Sequence, residues 1–397
     1  MKTLYTILCT AMSLLLLSAG VISAQWNQSQ ISNAQDLNMF ATVGNRIIAG
    51  TYGTGVYVSD DKCKTWKEAN TGLDNGLIYT VYTDKNKVYV TTEGSGIYVS
   101  SNGGDTWTGI GPANKMVMGM TIIDGVIYAG VYQSGVMIST DNGVSWTISN
   151  NGLTNLIVKT LHYDGSTLYA GSWGGGVFTS NDKGQNWAVS NKGSAMMSVW
   201  NIRQADSNVV IMGQGGIYLT GDHGKNWKSM GNGAMAQVVT GFAQAGNSYF
   251  AVSPGTGVFV STDKGDSWKD FSEGLPDPNI RVLNVSGNTL LGGAGTGLVV
   301  YRDISSYTSV EEPLASVNDI DIYPNPAIDR CVIRLKTESS DNSSYLITDL
   351  VGNIYLSGEI LTGDNVRIDC SVMPQGSYMV VVNQGSQRIV RKFSVVR

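Results

Sequence analysis

An all-β fold is predicted for this chain, a seven-bladed β-propeller closed by its N-terminal strand and followed by a small C-terminal β-sandwich. Three observations predict it. The phrase Ser139-Thr140-Asp141-Asn142-Gly143-Val144-Ser145-Trp146, read as S-x-D-x-G-x-[ST]-W, recurs five more times, and its tryptophans Trp66, Trp107, Trp146, Trp187, Trp227 and Trp268 are 41, 39, 41, 40 and 41 residues apart. Each period holds four short Val-, Ile-, Tyr- and Thr-rich segments bounded by Gly, Asn or Asp, the pattern of strands and turns at the period of a propeller blade. After Tyr301 the repeat stops, and a different alternating pattern runs from Asp319 to the end.

Within one period, Ile78 to Thr83, Lys87 to Thr92, Ile97 to Ser100 and Thr106 to Ile110 read as the four strands. A Gly-rich phrase precedes each box, and a seventh copy, GTGLVVY at 295–301, has no tryptophan after it. The missing piece is Trp26, which stands 40 residues before Trp66 in a lone fourth strand. Closing the ring with that strand leaves no exposed sheet edge.

The box suits a turn between third and fourth strands. Its aspartate, Asp61, Asp141, Asp182, Asp222 or Asp263, with Asn102 in the second copy, can accept turn N–H groups. Glycine supplies positive φ, and the tryptophan fills the space between sheets. Cys63 replaces that glycine in the first box, so a strained or reshaped turn is expected there. Over residues 25–303 the boxes resemble those of the Asp-box, or bacterial neuraminidase repeat, propellers. The resemblance implies that the boxes are structural, on the face opposite the usual ligand face.

Residues 1–24 read as a secretory signal peptide: Lys2, an apolar run, and small residues before a cleavage point after Ala24. A membrane anchor is the alternative. The propeller is assigned to 25–302, and the polar stretch 303–318 reads as a linker. Residues 319–397 alternate Val, Ile and Tyr between Gly, Asn and Pro, as a small β-sandwich does. Tyr323-Pro324-Asn325-Pro326, Asp349 with Gly352, Gly376-Ser377-Tyr378 and Arg391-Lys392-Phe393 make this block similar to the C-terminal sorting domain of type IX secretion cargo. That resemblance implies the secretion machinery as partner, transit through the periplasm, and release or attachment at the outer cell surface. A carbohydrate-binding or immunoglobulin-like module is the alternative.

A net charge of −5 with 14% charged residues and no basic tract argues against nucleic acid. No second apolar run spans a membrane, and a monomer without cofactor is expected. Cys9 leaves with the leader; Cys331 and Cys370, on two sandwich strands, are a candidate disulfide in an oxidising compartment, leaving Cys63 unpaired.

Aligned on the Gly-rich phrase, the loops between second and third strands offer Tyr52, Glu93, Tyr132, Trp173, Gly213, Pro254 and Ala294. Aromatic rings with a few polar groups suit a sugar or a peptide. Lys159, Asn201, Arg203 and Arg281, on first strands, are placed near the channel. The candidate ligand residues are therefore Tyr52, Glu93, Tyr132, Trp173, Lys159 and Arg281.

Sialidases resemble the chain in their boxes, but the arginine triad and tyrosine nucleophile of that family cannot be assembled: Arg46 and Arg302 fall on the wrong face. Xyloglucan-cleaving hydrolases use two such propellers around a cleft, and here there is one. The best carboxylate pair for glycoside hydrolysis is Asp74 with Glu93. His162 and His223 show no zinc spacing, so no metal is expected. The photosystem II assembly factors, single propellers of this kind, are also similar, and that resemblance implies protein binding without chemistry. The expectation is a secreted or surface propeller that binds a protein or glycan. A polysaccharide hydrolase using Asp74 and Glu93, and a structural or adhesive surface protein, are the alternatives.

Overall fold

The computed structural model describes residues 25–308, 320–335, 343–349, 354–360, 365–384 and 387–397. The proposed signal peptide, most of the proposed linker, and Gly352 lie outside the described residues. The chain divides into two compact units, Met1–Ser309 and Val310–Arg397.

The first unit is built from seven four-stranded antiparallel sheets. Their inner strands are Leu37–Val43, Ile78–Asp84, Val117–Ile123, Val158–Tyr163, Ser198–Ala205, Gly241–Ala245 and Ile280–Ser286, which define blades one to seven in chain order. Six blades take four consecutive strands. The seventh takes Ile280–Ser286, Thr289–Ala294 and Leu298–Asp303 from the end of the repeat and Asn27–Gln30 from its start, with Asn27 opposite Tyr301 and Gln30 opposite Leu298.

Small and β-branched side chains on the second and third strands bury between neighbouring blades, and each sheet therefore shares a core with the next. One such core joins Ile48, Val56, Val58, Ile78, Val81, Val90 and Trp107 across blades one and two. The ring tryptophans add a directional link, since each indole N–H finds an acceptor in the preceding blade. Trp107 donates to Ala69 O at 2.8 Å, Trp187 to Ser149 O at 2.9 Å, Trp227 to Ser190 O at 2.7 Å, and Trp268 to Met230 O at 2.8 Å. Trp66 reaches Ser29 Oγ in the closing strand at 3.0 Å.

The box turns share one geometry. In the third blade Ser139 Oγ donates to Asp141 Oδ1 and accepts the Gly143 N–H, while Asp141 takes the Ser145 N–H and hydroxyl on its two oxygens. Blade two achieves the same with Asn102, whose Oδ1 accepts the Thr106 N–H at 3.0 Å and whose amide donates to Thr106 Oγ1. Cys63 does not reshape its turn. It adopts φ 68° where the other boxes have glycine, keeps the N–H bond to Ser59 Oγ at 2.9 Å, and buries its side chain completely. Of the two expected outcomes, strained or reshaped, the structure shows the first: a non-glycine residue in the left-handed region of an otherwise regular box turn.

The second unit has a three-stranded sheet, Ile320–Tyr323, Arg330–Leu335 and Asn365–Asp369, and a four-stranded sheet ordered Ile354–Ile360, Ser343–Asp349, Gly376–Gln384 and Gln387–Val395. Their inward faces share one core containing Ile320, Ile333, Ile347, Ile368, Val380 and Phe393.

Candidate functional site

A cavity of about 590 Å³ opens at the axis of the ring, lined by inner-strand residues of all seven blades. A backbone irregularity repeated around the ring shapes it. In blades one, two, three, four, five and seven the pairing of the first two strands shifts by one residue near the start of the inner strand. The extra residue at that bulge is Asn38, Tyr79, Met118, Lys159, Trp200 or Arg281, and all six line the cavity. A bulge redirects the side chain it carries, and here it aims six different ones at the axis.

Lys159, Asn201, Arg203 and Arg281 all line the cavity. Their electrostatic situations differ. Arg281 is tied to Asp36 at 2.5 Å, half exposed. Lys159 and Arg203 form no ion pair among the described residues. Arg203 has only the Ile202 carbonyl at 3.5 Å and Met39 Sδ at 2.9 Å. Burial alone pulls the Lys159 ammonium below its usual range and the Arg203 guanidinium down to about 10.

The loop residues form an arc on the ends of the sheets opposite the box turns. Backbone N–H groups of Tyr52, Glu93, Tyr132 and Trp173 donate to Asp36, Leu77, Met116 and Ile157 O at 2.9 to 3.1 Å, and this shared bond fixes their equivalence. It also corrects two positions. The hairpin of blade five is one residue shorter, so Gln214, paired with Ser198 and bridged to Val238, occupies the place assigned to Gly213. In blade seven Ala294 still belongs to the ladder, and Gly295, which accepts the Asp36 N–H, takes the loop place.

Trp173 is 53% exposed, and Met197 and Leu156, next in sequence to the residues that pair with it, are 59% and 40% exposed. Tyr52 and Glu93 are bonded to each other: both Tyr52 Oη and Tyr79 Oη, the latter at 3.2 Å, donate to Glu93 Oε2. The bond to Glu93, then burial, raise the Tyr52 phenol above its ordinary range. Asp74 is exposed and accepts from Tyr98 Oη at 2.6 Å. The structure therefore commits the two carboxylates to different tyrosines, and neither lines the cavity.

A third cluster was not foreseen from sequence. His223, in a box turn, bonds Asp164 Oδ2 at 2.9 Å and Ser166 Oγ at 3.1 Å, while Tyr169 also donates to Asp164. Burial would raise the Asp164 carboxyl, but N–H groups of Thr167 and Ser166, with His223 and Tyr169, hold it well below the usual range. His162 bonds Gln204 Oε1 at 2.8 Å. Among the described residues no three His, Cys, Asp or Glu side chains gather as metal ligands.

In the second unit Cys331 and Cys370 are buried free thiols, the Cys370 Sγ donating to Cys331 Sγ at 3.6 Å. Tyr378 is buried with Oη on Pro374 O at 2.6 Å, and Phe393 is buried beside it.

These two units define the class: an all-β protein pairing a propeller with a C-terminal export module. Residues 321–396 are a secretion system C-terminal sorting domain, and residues 23–156 match the DUF6242 beta propeller domain. The protein is thus secreted or displayed at the cell surface, and its tail engages the secretion machinery. Among the described residues no helix is long and apolar enough to cross a membrane. No curated protein matches the chain in sequence.

Among solved structures it is similar to PorZ, a surface component of the type IX secretion system of Porphyromonas gingivalis, at 16% identity over 91% of this chain and 60% of that one, with a TM-score of 0.52. The extracellular domain of a hybrid two-component system of B. thetaiotaomicron matches at 14% identity over 94% of this chain and 57% of that chain, TM-score 0.59. YCF48 of Cyanidioschyzon merolae matches at 13% identity over 70% of this chain and 99% of its own, TM-score 0.57. The chain thus spans well under two thirds of the first two relatives, and likeness at these identities speaks for the fold.

Proposed function

We propose that this chain is a binding scaffold of the Asp-box type, with a leader at 1–24, a propeller from 25 that runs beyond 302 through the strand Leu298–Asp303 and the buried Ile304, a linker after it in place of the expected 303–318, and the sorting domain at 319–397. The propeller holds a protein or glycan ligand at its rim and channel. One observation carries the reading: six bulges direct chemically varied side chains at one concave, axial opening, the setting in which ligand sites occur. Hydrolysis finds less support, because neither Asp74 nor Glu93 lines the cavity and each carboxylate is bonded to different tyrosines.

The test is a glycan-array and polysaccharide-digestion screen of the full chain, beside a variant carrying Tyr52→Ala, Tyr132→Ala and Trp173→Ala. Binding without product, lost in the variant, supports the scaffold. Product release abolished by Asp74→Asn or Glu93→Gln replaces it with a hydrolase, and silence from both proteins against glycans and surface-protein extracts leaves the structural role.

A further inference from the structure

We propose that the axial cavity is a site for a carboxylated sugar, with the carboxylate held by Arg203 and Lys159. The inference rests on the ligand-binding reading above and names the ligand chemistry. Lys159 and Arg203 stand part-buried in the wall of one cavity with no counter-ion among the described residues, and two cations so placed gain from an anion that enters it. The other charges there are already committed: Asp36 to Arg281 at 2.5 Å, and Glu93 at the rim to two tyrosines. Neither carboxylate competes for Arg203 or Lys159. Arg203, with five donors, uses them on one distant carbonyl and a thioether.

The rest of the wall is mixed, with Leu37, Val81, Met120 and Leu283 beside polar residues, as suits a sugar, which presents hydroxyls at its edge and C–H groups on its face. Thr80, Thr121, Thr160, Asn201 and Thr240 line it with hydroxyls and an amide, and Thr240 Oγ1 is buried with no hydrogen-bond partner. Trp200, at its bulge, adds an indole face against which a sugar ring can pack.

The experiment is calorimetric titration of the full chain with galacturonate, trigalacturonate, galactose and triglutamate, repeated for Arg203→Met and Lys159→Gln. The expected result is uronate binding at least about tenfold tighter than galactose, weakened about tenfold or more by each substitution, with a melting temperature no lower than the parent's. Binding of the monomer identifies a free sugar acid as the source; binding of the trimer alone identifies a polysaccharide end. Uronate no better than galactose, uronate binding that survives both substitutions, or triglutamate preferred over uronate overturns the proposal. A neutral glycan or protein ligand whose binding needs Tyr52, Tyr132 and Trp173 but ignores Arg203→Met and Lys159→Gln sinks this inference while leaving the scaffold reading intact.

Discussion

Trp26 donates its indole N–H to the carbonyl of Phe271 at 3.2 Å, across 245 residues of chain. It is the same bond that Trp107, Trp187, Trp227 and Trp268 make to the blade before them, here made from the start of the repeat to blade six. The two rings meet edge to face at 6.0 Å, and Arg302 lies over both, 4.0 Å from the Phe271 ring centre. Trp26→Ala should destabilise the propeller by about 3–5 kcal/mol, the cost of emptying a buried aromatic site. Removing Gln25 to Gln30 should cost more, because blade seven then also loses its outer strand. Denaturant melts followed by tryptophan fluorescence check both, and a truncated chain as stable as its parent would contradict closure by this strand.

The seven-sheet architecture was legible because box, spacing and lone Trp26 are each local and periodic. The cavity was less so. Lys159, Arg203 and Arg281 stood out by charge, but Asn38, Tyr79 and Trp200 did not, because a bulge leaves no mark on strand alternation: it adds one residue that reads as part of the strand. The placement of Gly213 and Ala294 failed for a related reason. The Gly-rich phrase slides by one residue against the ladder in blades five and seven, and only the hydrogen bonds show it.

The box aspartates set an acid limit. Hydrogen bonds from Ser145, first its hydroxyl and then its N–H, lower the Asp141 carboxyl from 3.8 to about 2, and Asp61, Asp182, Asp222 and Asp263 behave alike. A depressed folded-state value means stability that is complete above the unfolded value and lost as pH falls from there through about 2. Asn102 shows that an amide can fill the same turn without titrating. Asp141→Asn should therefore fold and remove roughly a fifth of the boxes' acid sensitivity, read as a shallower fall in melting temperature between neutral pH and pH ~3. An unchanged pH profile would exclude the box from acid unfolding.

At Cys63 two effects oppose each other. Its φ of 68° costs an ordinary residue about 1–2 kcal/mol, and glycine would relieve that. Its fully buried side chain packs in the cluster of Tyr57, Trp66 and Tyr301, worth about 1–2 kcal/mol. Cys63→Gly should thus lie within about 1 kcal/mol of the parent. Cys63→Ala loses the sulfur and keeps the strain, so it should be the less stable of the two by about 1 kcal/mol. Urea midpoints compared across the three proteins check the order, and alanine above glycine would mean that packing alone governs this turn.

Cys331, on the strand Arg330–Leu335, and Cys370, just past the end of the neighbouring strand Asn365–Asp369, have their sulfurs 3.6 Å apart, close enough that oxidation needs little movement. Burial holds both thiols above their ordinary range, Cys331 at about 12, so as thiols they are poor nucleophiles at neutral pH. In an oxidising compartment enzymatic oxidation should nevertheless bridge them. Alkylation of the unfolded, exported protein should then modify Cys63 alone until reductant is added. Modification of all three without reductant would show that the pair persists as thiols outside the cell.

The sorting assignment makes a prediction that separates folding from delivery. The propeller's cores close within Met1–Ser309, and the sandwich has its own core of Ile320, Ile333, Ile347 and Phe393. Deleting 319–397 should therefore leave the propeller melting within a few degrees of its value in the full chain, while removing the module that the secretion machinery engages. The expected outcome is a folded, protease-resistant propeller retained in the periplasm, found by fractionation and by resistance of intact cells to surface labelling. Propeller recovered at the surface would show that export does not depend on this tail. Propeller degraded in the periplasm but stable when purified would instead show that delivery and survival in the cell are coupled.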